Sequence, residues 1–342
     1  MKPLLPLLLL PLLALLADEE PDTDALRALH DRFVASHRTP ELSGMTWDPD
    51  HPHGSPDWFT VVRPGIATLK PAGPESFRFP LVDVHVGDEK LLALVDTGAG
   101  VSLMSLSAAV RLGAHPAGPE LQVQRGIGFG GATQMILTRL PEMTLDQVTL
   151  RHVRVSVVPR GPDLPLLAPV EGRKVEMLIG YDLLQAFNWV EFSANPRRIR
   201  LGAGEPYPGE RPSRLPLLPA RNGGPRIEAR IAGHPPFPLT LDTGGLFGLR
   251  LPGTLAETLG VQRRDLISLP QSRTGFGGPS STVPGEKVTL SLGAVTLQNL
   301  PTHLDLDDSG RVDTIGPLLG YPVLSRFHWV LDHDHDHLIL LP

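Results

Sequence analysis

The sequence contains one short motif twice, as Leu94-Val95-Asp96-Thr97-Gly98 and as Thr240-Leu241-Asp242-Thr243-Gly244. The two aspartates are separated by 146 positions (242 − 96). Asp and Gly are ordinary turn residues, so a single Asp-Thr-Gly triplet is weak evidence of function. Two copies that each follow strand-like residues, at equivalent places in the chain, are much stronger evidence.

The residues around the triplets also match in order, which indicates an internal repeat. Gly87 aligns with Gly233 at the same offset as the two aspartates. Further matches follow with small changes of offset: Leu112-Gly113 with Leu259-Gly260, Phe129-Gly130-Gly131 with Phe276-Gly277-Gly278, Leu178-Ile179-Gly180-Tyr181 with Leu318-Leu319-Gly320-Tyr321, and Trp189 with Trp329. We therefore predict two equivalent lobes, residues 76–205 and 206–342, called below the N-terminal half and the C-terminal half.

The first 17 residues predict a secretory signal peptide. Lys2 precedes a Leu- and Pro-rich apolar run that ends at Ala17, before an acidic stretch. This run is shorter than the ~20 apolar residues of a membrane-spanning helix. We expect a secreted or periplasmic protein, with an uncleaved N-terminal anchor as the alternative. Residues 18–75 lie outside the repeat as an N-terminal extension, with one amphipathic helix predicted from Asp24 to Ser36 and a possible role as a prosegment.

Composition favours many short strands, and it argues against a nucleic-acid partner and against cysteine chemistry. The chain has 37 Pro and 35 Gly among 342 residues, which suits strands joined by tight turns. It has 31 Lys and Arg against 37 Asp and Glu, without a basic run, so we expect no nucleic-acid partner. The absence of cysteine excludes disulfides, thiol chemistry and lipoprotein acylation.

The local patterns predict an all-β fold with a few short helices. Apolar and polar residues alternate from Val82 to Val86, as in a half-buried strand. The runs Val148 to Val158 and Lys287 to Leu297 also predict strands. A short helix is expected after each Asp-Thr-Gly strand, ending at Gly113 and at Gly260.

Two carboxylates brought together by the two halves would form an acid–base pair. Like charges about 3 Å apart cannot both ionise, so such carboxylates share a proton. The ionised member then takes a proton from water, and the protonated one polarises a carbonyl. We predict Asp96 and Asp242 as the catalytic residues. Their loops would be supported by the other members of the triplets, Thr97, Gly98, Thr243 and Gly244.

A glycine-rich segment recurs in both halves and predicts a hairpin that closes over a substrate. Its residues are Gly128, Phe129, Gly130 and Gly131 in the first copy, and Gly275, Phe276, Gly277 and Gly278 in the second. An ordinary glycine-rich turn without a substrate role is the alternative. The first copy also fits a dinucleotide fingerprint, but it leads into a β-like run where that motif needs a helix.

Asp-Thr-Gly-Ala, a glycine-rich segment and Leu178-Ile179-Gly180, in that order, resemble the retropepsin-type aspartic peptidases. The resemblance covers about residues 76–342 and implies an acid-protease fold in which each half supplies one aspartate. It implies hydrolysis of peptide or protein substrates by an activated water, without metal or cofactor, in a monomer that looks like two fused viral protomers. The chain departs from the pattern at Gly245, where the family prefers Ala, Ser or Thr, and at Tyr181-Asp182 and Tyr321-Pro322.

Two alternatives remain at this stage. The tract Asp332 to His337 alternates Asp and His, both good metal ligands, but the repeat places it in the turn of the last hairpin, so we predict no metal site. The whole chain could also be a catalytically inactive peptide-binding protein of the cell envelope. Both triplets being intact argues against that interpretation, because a binding module needs neither carboxylate.

Overall fold

The computed structural model describes residues 59–72, 79–117, 123–128, 131–158, 172–195, 197–219, 223–264, 271–275, 278–306 and 315–341. The predicted signal peptide, residues 1–17, and the helix predicted from Asp24 to Ser36 lie outside these ranges. Strands dominate the described residues, so the predicted all-β class is confirmed. No helix in the described ranges is long and apolar enough to cross a bilayer.

Four short helices accompany the strands within the described ranges: α1 (Leu106–Arg111), α2 (Tyr181–Leu184), α3 (Gly253–Thr258) and α4 (Tyr321–Leu324). The strands before residue 206 are β1 (Thr60–Arg63), β2 (Gly65–Leu69), β3 (Leu81–Val86), β4 (Glu89–Asp96), β5 (Leu103–Ser105), β6 (His115–Pro116), β7 (Val123–Gly128), β8 (Gly131–Leu145), β9 (Val148–Val158), β10 (Val175–Gly180), β11 (Trp189–Ala194) and β12 (Arg197–Ala203). Those after it are β13 (Ser213–Pro216), β14 (Arg226–Ile231), β15 (Phe237–Asp242), β16 (Leu249–Leu251), β17 (Gln271–Gly275), β18 (Gly278–Pro284), β19 (Val288–Leu292), β20 (Val295–Leu300), β21 (Thr302–Asp305), β22 (Leu318–Gly320), β23 (His328–Asp332) and β24 (His337–Leu341).

The described strands form three sheets. One runs in the order β1-β9-β5-β10-β4-β3-β8-β6, with β7 paired to β8, and a second in the order β17-β18-β21-β16-β22-β15-β14-β19-β20. Both contain a parallel pair that ends at an aspartate and a glycine. Asp96 of β4 lies opposite Gly180 of β10, and Asp242 of β15 lies opposite Gly320 of β22. Each predicted catalytic residue therefore ends a central strand of its own sheet.

A third sheet takes strands from both halves, in the order β13-β24-β23-β11-β12-β2. Strands β11 and β23 pair antiparallel at its centre, with Phe192 opposite Trp329. The rings of these two residues stack, with centroids 4.1 Å apart. Trp189 and Trp329, which the repeat aligns, are both almost fully buried. This sheet thus ties the two halves together through backbone hydrogen bonds and aromatic packing.

Several local predictions are confirmed. Val82, Val84 and Val86 are buried on β3 while His85 is exposed, as the alternation predicts. Strand β9 has the predicted bounds. The strand predicted from Lys287 to Leu297 is wrong in extent, because the chain turns at Gly293, whose φ is 56°, and forms the hairpin of β19 and β20. Helices α1 and α3 are followed after one residue by Gly113 and Gly260, whose φ angles of 73° and 62° are left-handed. Glycine adopts that conformation without steric cost, which explains why the helices end there.

The end of the predicted extension is part of the fold. Strand β1 pairs with β9, and β2 pairs with β12 of the shared sheet. Ala67 and Leu69 on β2 are buried in the main hydrophobic core. The short alternating run around Ala67 and Leu69 was too weak a sequence signal to indicate this pairing, because its partner strand lies more than a hundred residues further along the chain.

Replacing Trp329 by alanine is expected to lower the free energy of unfolding by about 3–5 kcal/mol, the usual cost of truncating a buried Trp. Chemical denaturation measures this loss. Leu306→Ala is the control, because Leu306 is 40 % exposed and its truncation should change stability by less than about 0.5 kcal/mol. A loss below about 1 kcal/mol for Trp329→Ala would contradict the central place of the shared sheet.

Candidate active site

The two Asp-Thr-Gly turns meet where the two halves face each other, and they are joined by their threonines. The Thr97 amide donates to Thr243 Oγ1 at 2.9 Å, and the Thr243 amide donates to Thr97 Oγ1 at 3.1 Å. Each hydroxyl in turn donates to a carbonyl of the opposite strand. Thr97 bonds Leu241 O at 2.6 Å, and Thr243 bonds Val95 O at 2.7 Å. Both threonines are fully buried, so these four bonds fix the two turns against each other.

The glycines of the triplets allow the two aspartates to approach. A Cβ at Gly98 would lie 2.5 Å from Asp242 Cγ, and one at Gly244 would lie closer still to the Asp96 carboxyl. No real side chain tolerates such contacts, so glycine is required at both positions by the opposite carboxyl. Each triplet is therefore shaped by the aspartate of the other half.

The two carboxyls lie close enough to interact, and their surroundings differ. Within its own turn Asp96 Oδ1 accepts the amides of Gly98 at 2.9 Å and Ala99 at 3.2 Å. Asp242 Oδ1 accepts the amide of Gly244 at 2.9 Å. Asp242 is 6 % exposed, whereas Asp96 is partly exposed. The structure thus gives Asp96 the more polar environment.

Burial raises the pKa of both carboxyls above the ordinary value for aspartate. For Asp96 the hydrogen bonds from Asp242, Gly98 and Ala99 oppose that effect. For Asp242 the neighbouring charge of Asp96 acts in the same direction as burial and raises the pKa well above its usual range. The two acids therefore titrate as a coupled pair that keeps a proton to higher pH than an ordinary aspartate does.

The strands that run beneath the turns carry a glycine at the point of contact. A Cβ at Gly180 would lie 2.5 Å from the Val101 carbonyl, and one at Gly320 would lie 2.8 Å from the Gly245 carbonyl. The amide of the next residue holds the turn in both cases. Tyr181 donates to Ala99 O at 2.7 Å, and Tyr321 donates to Gly245 O at 2.9 Å. The apolar-apolar-Gly segments thus support the turns through their backbones.

In the N-terminal half a buried Ser–Asp pair adds polar support. Ser102 donates its amide to Asp182 Oδ2 at 2.9 Å and its hydroxyl to Asp182 Oδ1 at 2.6 Å. The Ser102 hydroxyl also accepts the amide of Gly180 at 2.9 Å. In the C-terminal half the amide of Gly320 instead donates to the carbonyl of Gly248 at 2.9 Å. The sequence pattern did not reveal the role of Ser102, although Asp182 was noted as a departure from the viral pattern.

The glycine-rich segments lie at the ends of two hairpins. Strands β7 and β8 pair up to Gly128 opposite Gly131, and β17 and β18 pair up to Gly275 opposite Gly278. Phe129, Gly130, Phe276 and Gly277 lie outside the described residues. The predicted substrate role of these segments stays a prediction.

The Asp/His tract forms the turn between β23 and β24, as the repeat predicts. Two of its three acidic side chains accept hydrogen bonds from residues outside the tract. Asp332 Oδ2 accepts from Arg211 at 2.9 Å, and Asp334 accepts from Asn188 at 2.9 Å. Among the described residues no group of three His, Asp or Glu side chains is arranged to hold a metal ion.

The comparison with known families agrees with this geometry. A family model described as aspartyl protease matches residues 82–183, which include Asp96, the first glycine-rich segment and Gly180. The resemblance to retropepsin-like aspartic peptidases is thereby confirmed for this segment. No curated protein matches the chain. The second triplet lies outside the matched segment and is joined to it by the threonine hydrogen bonds.

Asp182 provides a pH test of the support network. Burial, opposed by the hydrogen bonds from Ser102, raises the pKa of Asp182 from its ordinary 3.8 to about 6. Because the folded state binds this proton more tightly than the unfolded state, the stabilising contribution is fully present below about pH 4 and is lost as pH rises to about 6. The loss amounts to about 3 kcal/mol at two units of pKa difference. Asp182→Asn should remove this part of the pH dependence, measured by denaturant unfolding across that range.

Asp83→Asn serves as the control of opposite sign. Burial would raise the pKa of Asp83, but ion pairs with Lys90 and Arg173 lower it overall. A lowered pKa contributes stability at neutral pH that is lost as pH falls, so this variant should lose stability mainly at neutral pH. Equal pH dependence in the wild type and in Asp182→Asn would show that Asp182 is not the buried acid described here.

Proposed function

We propose that the protein is an aspartic endopeptidase that hydrolyses peptide bonds with a water activated between Asp96 and Asp242. The observation that carries this proposal is the close approach of the two carboxyls on turns that are hydrogen-bonded to each other through Thr97 and Thr243. A structural ion pair would contain a cation, and two buried acids in contact are costly without a role. Acid–base chemistry uses that arrangement directly.

The different surroundings of the carboxyls assign their roles. Asp96, with two amide donors in its own turn, is the ionised base that removes a proton from the water. Asp242, more deeply buried, is the acid that donates its proton to the carbonyl oxygen of the scissile bond. The water oxygen bonds to the carbonyl carbon and gives a tetrahedral diol. Return of a proton to the amide nitrogen then lets the C–N bond break, without a covalent enzyme intermediate.

One chain supplies both carboxyls, and we propose that it acts as a monomer on peptide or protein substrates. Residues 1–17 support export to the periplasm or the medium. The mass of the mature protein after expression with its own N-terminus tests the export proposal, since cleavage after Ala17 should remove the apolar run.

Asp96→Asn and Asp242→Asn should each lower turnover of a mixed peptide library by at least about a thousandfold, because each removes one partner of the acid–base pair. Both variants should stay folded, since neutral amides fill the same volume. Cleavage by the wild type should be blocked by pepstatin. Retention of near wild-type turnover in either variant would refute the pair.

A mixture of the two variants is the matched control for the intramolecular site. If active pairs formed between chains, mixing the variants would restore sites with both aspartates. We expect no recovery of activity above the separate variants. Recovery would point to halves that pair across chains.

The pH dependence of kcat/KM should be bell-shaped with an optimum at weakly acidic pH. Burial raises the pKa of both carboxyls, so the base becomes ionised only above the usual range of aspartate, and the acid stays protonated to higher pH. Ala99 and Gly245 carry no hydroxyl that could stabilise the ionised pair by hydrogen bonding. Initial rates from about pH 2 to pH 8 measure the profile, and the two apparent pKa values belong to the pair. Maximal activity at the strongly acidic end would contradict this prediction.

A further inference from the structure

The three residues that follow Asp242-Thr243-Gly244 all differ from the three that follow Asp96-Thr97-Gly98. Asp-Thr-Gly is followed by Ala99-Gly100-Val101 in the N-terminal half and by Gly245-Leu246-Phe247 in the C-terminal half. Backbone contacts show that these positions correspond. The carbonyl of Val101 lies over Gly180, and the carbonyl of Phe247 lies over Gly320 in the same way. Gly245 and Phe247 thus stand where the N-terminal half has Ala99 and Val101.

The ring of Phe247 fills the space next to Gly245. A Cβ at Gly245 would lie 2.6 Å from Phe247 Cε1 and closer still to its Cζ. The same Cβ would lie 2.6 Å from Asp242 Oδ2. Gly245 does not have a left-handed φ, so its backbone conformation alone would accept alanine. Glycine is required here because the ring and the carboxyl leave no room for a methyl group.

The ring itself is held from behind by a buried ion pair. Phe247 is 6 % exposed, and the guanidinium of Arg250 lies 5.9 Å from its ring centroid. Arg250 donates from Nε to both carboxylate oxygens of Asp305 at 2.9 Å, and both residues are buried. On its other side the ring packs against Gly320, where a Cβ would lie 2.9 Å from Phe247 Cδ2. The ring is therefore packed on both of these sides.

This arrangement changes what the turn offers to its aspartate. In the N-terminal half the amide of Ala99 donates to the Asp96 carboxyl at 3.2 Å. Both amides also donate to the backbone carbonyl of their own aspartate, Ala99 to Asp96 O at 3.3 Å and Gly245 to Asp242 O at 3.4 Å. Of the two amides, only that of Ala99 also donates to the carboxyl. Among the described residues, Asp242 accepts one amide of its own turn and Asp96 accepts two.

We propose that Phe247 is a positioning residue that wedges the Asp242 turn into a shape different from that of the Asp96 turn and so makes Asp242 the proton donor of the pair. This inference rests on the proposed peptidase function and adds the element that distinguishes the two aspartates. The wedge acts through Gly245 and the shape of the turn.

The test introduces the residues of the N-terminal turn at the corresponding positions of the C-terminal turn. Gly245→Ala alone should lower kcat/KM at least about tenfold, because the methyl group collides with the ring and with Asp242. The double variant Gly245→Ala, Phe247→Val copies the Ala99 and Val101 pair and should recover most of that loss. Its kcat/KM profile should also move to lower pH on the alkaline side, because a second amide can then reach the Asp242 carboxyl and lower the pKa of the acid.

A second variant keeps the test decisive if Gly245→Ala does not fold. Phe247→Val alone should lower kcat by about tenfold with KM within about twofold, because the turn loses its support while substrate contacts remain. Phe237→Val is the matched control. Phe237 is equally buried at 6 % exposure, lies at the start of β15 and does not touch the turn. It should lose stability but keep its kcat.

A carboxyl-carbon NMR titration of the aspartates separates this inference from the proposed function. If the wild type cleaves no peptide, the function fails, yet the titration of the coupled pair should still differ between wild type and double variant. The wedge is overturned if Gly245→Ala is fully tolerated beside Phe247. It is equally overturned if a folded double variant is no better than Gly245→Ala, or if Phe247→Val and Phe237→Val have the same effect on kcat.

Discussion

The close approach of the Asp96 and Asp242 carboxyls is the constraint on which the rest of the structure depends. Each acid raises the cost of ionising the other, so the pair persists only where other interactions hold the turns together. Thr97 and Thr243 do this with four hydrogen bonds that cross between the halves. Gly98 and Gly244 then become obligatory, because each faces the opposite carboxyl. The shared six-stranded sheet adds a second connection between the halves, through the backbone pairing of β11 with β23.

Different side chains support the Asp-Thr-Gly turn in the two halves. In the N-terminal half a polar network of Ser102 and Asp182 ties the turn to the strand beneath it. In the C-terminal half Gly248 and Pro322 offer no such side chains, and an aromatic ring backed by Arg250 and Asp305 occupies the space behind the turn. A polar network leaves the turn free to direct two amides at Asp96. The packing of Phe247 restricts the second turn, and Asp242 has fewer backbone amide donors and is more deeply buried than Asp96.

Much of the fold and the centre of the site could be predicted from the sequence because their signals are local. Strand alternation from Val82, the helices ending at Gly113 and Gly260, and the two Asp-Thr-Gly triplets each need only a few adjacent residues. Other features depend on contacts between distant segments. The pairing of β2 with β12, the Ser102–Asp182 bond and the packing of Phe247 against Gly320 join residues 70 or more positions apart. A single sequence carries no direct signal for such contacts. Gly245 appeared only as a departure from the family pattern, and its cause became visible with the ring beside it.

Because one chain contains both halves, the residues around Asp96 can differ from the residues around Asp242. Where two identical chains build one site, as in the viral relatives that the sequence resembles, every residue must serve both sides of the symmetry axis. A bulky residue beside one turn would then also stand beside the other turn, and a second amide would donate to both carboxyls or to neither. Here Ala99 and Gly245, or Val101 and Phe247, can differ independently. The chain can therefore give one carboxyl the surroundings of a base and the other those of an acid before any substrate binds. In a symmetric site that distinction must come from the position of the shared proton or from the substrate itself, whereas in this chain the side chains around each turn already impose it.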